Sequence, residues 1–139
     1  MYRGVLEERN GVRIIGLDTI TDIHEEDAGH LVIAASHGGV SSGSYAVKHP
    51  LLAAFFNDAG VGKDAAGIAA LSMLQEVGTA GGTYSYNTAR IGDVQDAWEN
   101  GVISHINEAA AQNGFRKGES IRDALRRVAQ GSRSPTAHA

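Results

Sequence analysis

Three short apolar runs, each followed at once by a polar break that contains glycine, constrain this chain more than any other feature. The runs are residues 30–35, 51–56 and 82–86, and the breaks are residues 36–39, 57–64 and 87–93. Apolar runs of this length between turn residues are typical of buried β-strands. Because the intervening segments are long enough to return across a sheet, we expect parallel strands whose polar breaks share one edge. In open α/β sheets that edge binds ligands.

Length and composition indicate one soluble domain. The chain has 139 residues, of which 42% are hydrophobic and 20% charged, as in an ordinary globular protein. Strands alternating with helical patterns predict a small three-layer α/β fold with a mostly parallel sheet and helices on both faces. We assign residues 1–130 to this single domain. Residues 131–139, which contain serine, proline and threonine, are expected to form a flexible tail.

Helical periodicity is clearest in the second half of the chain. It predicts helices over residues 64–77, 93–112 and 120–130, and a shorter one over 40–47. The last helix begins at Ser120 in a pattern close to a capping box. A further strand is expected at residues 11–18.

The predicted helix over 93–112 has one apolar face, formed by Trp98, Val102, Ile106 and Ala109. His105 lies close to that face on the same helix. We therefore interpret it as a hydrogen-bonded core or interface histidine.

Composition excludes several classes of function. Cysteine is absent, which excludes thiol catalysis, cysteine-ligated zinc and disulfides and is compatible with the cytoplasm. No apolar stretch approaches bilayer length and no secretory signal is visible, so we expect no membrane segment. The net charge is −4, and the basic residues near the C-terminus have no interleaved stacking residues beyond Phe115. We therefore expect no nucleic-acid partner.

Ser36 lies in the string Ala34-Ala35-Ser36-His37-Gly38-Gly39. This string is similar to the nucleophile elbow of α/β-hydrolases, which presents a serine on a sharp strand-to-helix turn. The resemblance implies Ser36 as a nucleophile whose following amide helps to form an oxyanion hole. It also implies the chain order of serine, then Asp58 or Asp93, then His105.

His37 is a broader catalytic candidate than Ser36. Histidine titrates near neutral pH and acts as a general base, or as a donor to a substrate carbonyl, without covalent chemistry. We predict His37, Ser36 and Asp58 as the catalytic residues. The structural alternative is that Ser36 and His37 end a strand and satisfy local backbone groups.

The segment of residues 57–65 contains a G-x-G-x-x-A string between a predicted strand and a predicted helix. That string is nominally a dinucleotide fingerprint, but Asp64 at the helix start would repel a pyrophosphate. The alternative is a glycine turn that lets the helix pack closely on the sheet. The sequence identifies no cofactor.

Several small and polar residues at the same edge are candidates for contacting a substrate. Arg90 suits a bidentate clamp on a carboxylate or phosphate, or a salt bridge to Asp93 or Asp58. The predicted substrate-binding residues are Gly38, Gly39, Ser41, Asn57, Gly60, Gly62, Lys63, Arg90 and Asp93.

Metal binding has no clear signature. Asp58, Asp64 and Asp93 could hold Mg²⁺ if their loops converge, because this ion prefers oxygen ligands. The six histidines form no H-x-x-x-H pair of the zinc-binding type. We predict no metal ligands.

These features favour an enzyme, a hydrolase or another acyl-chemistry enzyme that acts on a small anionic carbonyl compound. A non-catalytic binding module for a small anionic ligand explains the same glycine turns and anchors, and a structural partner subunit fits the apolar stretch 65–71. Enzyme and binding module differ in whether His37 or Ser36 reaches an acid. The apolar stretch, with Trp98 and Ile103, also predicts a homo-oligomer.

Overall fold

The computed structural model describes residues 1–131, and its centre is one six-stranded sheet whose spatial order is β1-β2-β3-β4-β5-β6. The strands are β1 (Arg3–Arg9), β2 (Val12–Leu17), β3 (Leu31–His37), β4 (Ala53–Asn57), β5 (Ala80–Tyr84) and β6 (Ile103–Ile106). The α-helices are α1 (Val40–Ala46), α2 (Ala70–Glu76), α3 (Val94–Asn100), α4 (Glu108–Gln112) and α5 (Ile121–Ala129). Short 3-10 helices occupy Ile20–Asp22, Glu25–Asp27 and Lys63–Ile68. The fold is therefore α/β.

The sheet is mixed, which corrects the expectation of a mostly parallel one. Strands β2 to β5 run parallel, whereas β1 and β6 are antiparallel to their neighbours. At one edge, Asn10 and Gly11 both have positive φ, at 56° and 80°, and this Asn-Gly turn folds β1 back on β2. At the other edge, β6 starts beside the end of β5, because Ile103 pairs with Tyr84.

Alternate residues of the strands enter two hydrophobic clusters, as the period of two in a β-strand requires. One cluster contains Ile33 and Phe55 together with residues of α3, α4 and α5. The other contains Val32 and Phe56 together with residues of α1 and α2. Apolar area removed from water in these clusters is the main favourable contribution to stability.

The prediction of a helix over residues 64–77 is wrong in its first half. Helix α2 begins only at Ala70, and a 3-10 helix at Lys63–Ile68 precedes it. Within that 3-10 helix Asp64 and Ala65 adopt left-handed backbone angles. The local sequence is compatible with a helix, but packing of this segment on the sheet imposes another conformation.

The prediction of one helix over residues 93–112 is also wrong, because the segment forms α3, β6 and α4 in succession. Its supposed apolar face is divided among these elements. Asn107 explains the second break, since its side chain accepts from the amides of Gly81 and Ala110. Those bonds attach the start of α4 to β5 and cap the helix.

The remaining helices match their predictions closely. Helix α5 begins after Ser120, whose side chain accepts from the amide of Asp123, which confirms the predicted cap. Helix α1 confirms the short helix expected before Pro50. In the predicted tail, residues 132–139 lie outside the described part of the chain. Among the described residues, none of the helices has the length and apolar character needed to cross a bilayer.

Candidate functional site

An irregularity between β5 and β6 gathers three polar side chains. Thr83 pairs with His105 and Tyr84 pairs with Ile103, so Ser104 is an extra residue on β6. Such bulges change the direction of side chains and are frequent beside active sites. Here the Thr83 hydroxyl lies 3.0 Å from the Ser104 hydroxyl and 3.3 Å from His105 Nδ1. Ser104 Oγ is also 3.3 Å from that nitrogen.

Asp58 approaches the same imidazole from the carboxyl end of β4. Its side chain is 6% exposed, and Oδ2 lies 3.9 Å from His105 Nδ1. Oδ1 accepts from the amides of Gly60 and Tyr86 at 2.8 and 3.0 Å, which fixes the carboxylate. Within residues 1–131 Oδ2 accepts no hydrogen bond, although the side chain is almost fully buried. A carboxylate oxygen left in this state is available to a ligand, a water molecule or the imidazolium.

His105 connects this group to a surface cleft of about 520 Å³. The cleft is lined by residues of the 3-10 helix, of α2 and of β6, and by Lys117. The histidine side chain is 34% exposed, and its described hydrogen bonds all use Nδ1. Its Nε2 has no hydrogen-bond partner among residues 1–131. The ring is therefore held at Nδ1, and Nε2 keeps an open bonding position on a side chain that lines the cleft.

The loop after Asp58 has an unusual backbone. Ala59, Val61, Asp64 and Ala65 have φ values of 52°, 68°, 56° and 59°, a region that costs a non-glycine residue about 1–2 kcal/mol. Aspartate tolerates it better than alanine, and a β-branched valine tolerates it poorly. Strain of this kind persists only where surrounding packing imposes it, and it concentrates at ligand-binding sites.

Gly67 shows how closely the same loop packs on the sheet. A Cβ added at Gly67 would lie 1.9 Å from the carbonyl oxygen of Asp58. One at Gly38 would lie 2.6 Å from the Gly67 oxygen and 3.1 Å from Thr83 Cγ2. Glycine at these two positions therefore allows the segment that leads into the cleft to lie directly over Asp58 and Thr83.

The sequence-predicted residue His37 lies at the same edge of the sheet. It pairs with Asn57 across β3 and β4, and its imidazole packs close to Gly39. The side chain is exposed and makes no hydrogen bond or ion pair with an acid among the residues that the structure describes. His37 and Asp58 are thus neighbours along the edge, but the acid faces His105.

Ser36 lies inside β3, whereas the resemblance to the hydrolase elbow implies a position on the turn. The turn itself falls at Gly38 and Gly39, directly before α1. Ser36 Oγ accepts from the amide of Ile20 at 2.9 Å. This is a structural backbone role, as in the structural alternative, but the amide belongs to a distant segment and not to a local one.

The other predicted substrate-binding residues that lie in α1 and in the second break have varied surroundings. Asn57 is buried, donates to the Ala89 carbonyl and accepts from the Ala59 amide. Gly60 and Gly62 provide positive φ in the turn. Ser41 and Lys63 are exposed. None of these residues lines the cleft beside His105.

Arg90 and Asp93 lie in a separate depression of about 320 Å³. The Arg90 side chain is 83% exposed, and its nearest acid is Asp96, at 4.0 Å, instead of the expected Asp93 or Asp58. Asp93 accepts from the Asp96 amide and caps α3. Neither residue contributes to the cleft that contains His105.

The three loops that carry aspartates do not converge into a metal site. Across the described residues, no group of three or more histidine or acidic side chains is placed to hold an ion. Asp58 faces His105, Asp93 caps a helix, and Asp64 lines the cleft. The magnesium alternative has no geometric support in this part of the chain.

Sequence reasoning missed Thr83, Ser104 and Lys117 in this arrangement, and it named His105 as a functional residue only in the residue order that the hydrolase resemblance implies. The serine directly before His105 in a segment of β-favouring residues, Val102 to Ile106, is the one available signal. Comparisons with protein-family models, with curated proteins and with solved structures find no match to this chain. The chemistry therefore has to follow from the residues themselves.

Proposed function

We propose that this protein is a hydrolase of small carbonyl compounds that carry an anionic group, with its active site in the cleft beside His105. The observation that supports this most is the Asp58–His105 pair, in which a buried carboxylate faces one ring nitrogen and the cleft adjoins the ring. A histidine held by hydroxyl groups at one ring nitrogen and facing a carboxylate at 3.9 Å is suited to act as a general base, whatever the fold around it. The pair replaces the predicted His37–Asp58 pair in this proposal.

The hydroxyl groups of Thr83 and Ser104 orient the imidazole of His105 for its role as the base. With the Nδ1 hydrogen donated to one of these hydroxyl oxygens, the lone pair is at Nε2 and faces the ligand. Nε2 removes a proton from a water molecule as the water oxygen forms a bond to the carbonyl carbon. The resulting imidazolium is stabilised by the Asp58 carboxylate. When the tetrahedral intermediate collapses, the same proton passes to the leaving group.

Lys117 supports the proposal that the substrate carries an anionic group. It lines the cleft with His105, is exposed and has no ion-pair partner among residues 1–131. A lysine ammonium in this position is suited to a carboxylate or phosphate on the substrate. It takes the role that the sequence prediction assigned to Arg90.

Hydrolysis of monomethyl succinate tests the proposal, with methanol release as the measurement. We expect His105→Ala to lower kcat/KM by about 10²–10⁴-fold, as for the loss of a general base. His49→Ala is the matched control, because His49 lies outside the cleft, and circular dichroism verifies the fold of both variants. His37→Ala is expected to cost less than His105→Ala.

Two outcomes would overturn the assignment. A folded His105→Ala variant that hydrolyses monomethyl succinate at the wild-type rate would show that His105 is not the general base. If the wild-type protein binds monomethyl succinate and the amide succinamate but hydrolyses neither, the cleft belongs to a non-catalytic binding module instead.

Two further expectations remain proposals. We propose a cytoplasmic location on the absence of cysteine. A homo-oligomer is also proposed; of the apolar residues that predict it, Ile103 and Leu71 are 2% and 7% exposed and pack within the chain.

A further inference from the structure

The cleft beside His105 contains two opposite charges that have no ion-pair partner within residues 1–131. Asp64 and Lys117 both line it, both are exposed, and neither makes an ion pair with another residue of the described chain. Salt bridges elsewhere in the protein join Arg3 with Asp27 and Arg127 with Glu119, whereas the two charges in the cleft are left for a ligand. An acid and a base that share a cleft and do not bind each other suit a ligand that carries both charges.

The backbone at Asp64 gives an independent reason to connect it with a ligand. Asp64 and the next residue, Ala65, both line the cleft and both have left-handed backbone angles inside a 3-10 helix. Local sequence preference does not favour this conformation in two successive non-glycine residues. Strained residues that packing holds in place are characteristic of ligand clamps. The strain thus coincides with the part of the cleft wall that carries the negative charge.

We propose that the substrate is a small zwitterion, with its anionic group at Lys117, its cationic group at Asp64 and its reacting carbonyl at His105. The reaction of such a substrate rests on the hydrolytic function proposed above, whereas its binding does not. The inference adds a cationic group, and hence amino-acid-like chemistry, to the anionic carbonyl compound proposed above. A cleft of about 520 Å³ is in the range that small ligands occupy.

Four methyl esters that differ only in charge test the substrate class. Aspartic acid β-methyl ester carries both charges, monomethyl succinate only the carboxylate, β-alanine methyl ester only the ammonium, and methyl propionate neither. We expect the zwitterionic ester to have the lowest KM. Asp64→Asn should raise its KM about two- to fivefold, as for loss of an exposed charge contact, and leave that of monomethyl succinate unchanged.

Lys117→Met should raise the KM of both carboxylate-bearing esters and leave that of β-alanine methyl ester unchanged. The matched charge controls are Lys48→Met and Glu76→Gln, since both residues are exposed and lie outside this cleft. Hydrolysis of the four esters with equal KM values, or KM values that neither cleft variant changes, would overturn the zwitterion and leave the hydrolase standing.

Binding of the matching amides separates this inference from the reaction. Asparagine, succinamate, β-alaninamide and propionamide have the same charge pattern as the four esters, and their effect on the thermal midpoint requires no turnover. If no ester is hydrolysed but asparagine raises the midpoint most, and both variants remove that preference, the zwitterion site stands and the hydrolase fails. An equal shift by all four amides overturns the site.

Discussion

Thr83 and His105 are paired residues of β5 and β6, and the threonine hydroxyl lies 3.3 Å from the imidazole Nδ1. Thr83 is fully buried, so the sheet fixes the position of its hydroxyl. In the proposed mechanism this hydroxyl oxygen accepts the Nδ1 hydrogen, which selects the ring tautomer whose lone pair is at Nε2. Thr83 therefore acts on the proposed base by positioning it.

Replacing Thr83 with valine removes the hydroxyl while keeping the shape of the side chain. We expect kcat for monomethyl succinate to fall about tenfold with little change in KM, because the ring loses a partner that orients it and not a contact with substrate. The dependence of kcat on pH should also change, whereas Thr83→Ser should restore both. A folded valine variant with the wild-type kcat and pH profile would show that the hydroxyl has only a structural role.

The left-handed backbone of Ala65 in the loop after Asp58 predicts that glycine at this position stabilises the protein. Ala65 has φ of 59°, so Ala65→Gly relieves steric strain of about 1–2 kcal/mol, part of which is offset by the greater freedom of glycine in the unfolded chain. We expect a net gain of about 1 kcal/mol in the free energy of unfolding, measured by urea denaturation. Ala66→Gly is the control. Ala66 is not among the residues with positive φ, so this substitution should lose stability. A loss of stability in both variants would contradict the presence of backbone strain at Ala65.

The parallel strands and α5 could be predicted because their signals are local. The apolar runs at residues 30–35 and 51–56 correspond to β3 and β4, and Ser120 caps α5 as expected. The polar breaks share one edge of the sheet because β3, β4 and β5 are parallel neighbours. That edge is where Asp58 lies, so the sequence located one half of the candidate pair.

The hydrolase resemblance implied the other half, His105, but the strand that carries it could not be predicted, because β6 depends on contacts far away in the chain. Residues 102–106 have a pattern compatible with one face of a helix, and pairing with β5 makes them a strand instead. The bulge at Ser104 then turns His105 toward Asp58. A histidine interpreted as part of a helix thus becomes the partner of the acid.

The conformation of the strained loop could not be predicted from the sequence for a related reason. Residues 64–69 contain alanines that favour a helix, and nothing local in them indicates left-handed angles at Asp64 and Ala65. The close contact of Gly67 with the Asp58 carbonyl keeps the segment against the sheet. Tertiary packing therefore overrides helix propensity at the place where the cleft is formed.

Arg3 and Asp27 form an ion pair far from the cleft that affects the dependence of stability on pH. The Asp27 carboxylate is 1% exposed, accepts from both terminal nitrogens of Arg3 at 2.9 Å, and accepts from the His24 amide at 2.8 Å. Burial raises the pKa of Asp27, but the hydrogen bonds from Arg3 and His24 outweigh burial and leave this pKa below its ordinary value. The folded state therefore holds this carboxylate in its charged form.

Asp27→Asn should destabilise the protein most at neutral pH. A carboxylate whose pKa is lowered by folding stabilises the folded state above the ordinary aspartate value of about 3.9, and that contribution is lost as the pH falls through the folded-state pKa. We expect a loss of about 3 kcal/mol at pH 7, the lower end for a broken buried pair because Arg3 is partly exposed. The difference between wild type and variant should shrink as the pH falls below about 4. Urea denaturation at a series of pH values measures it, with Glu99→Gln as the exposed control. A difference that stayed constant from pH 7 to pH 3 would show that the asparagine acts through packing and not through the charge of Asp27.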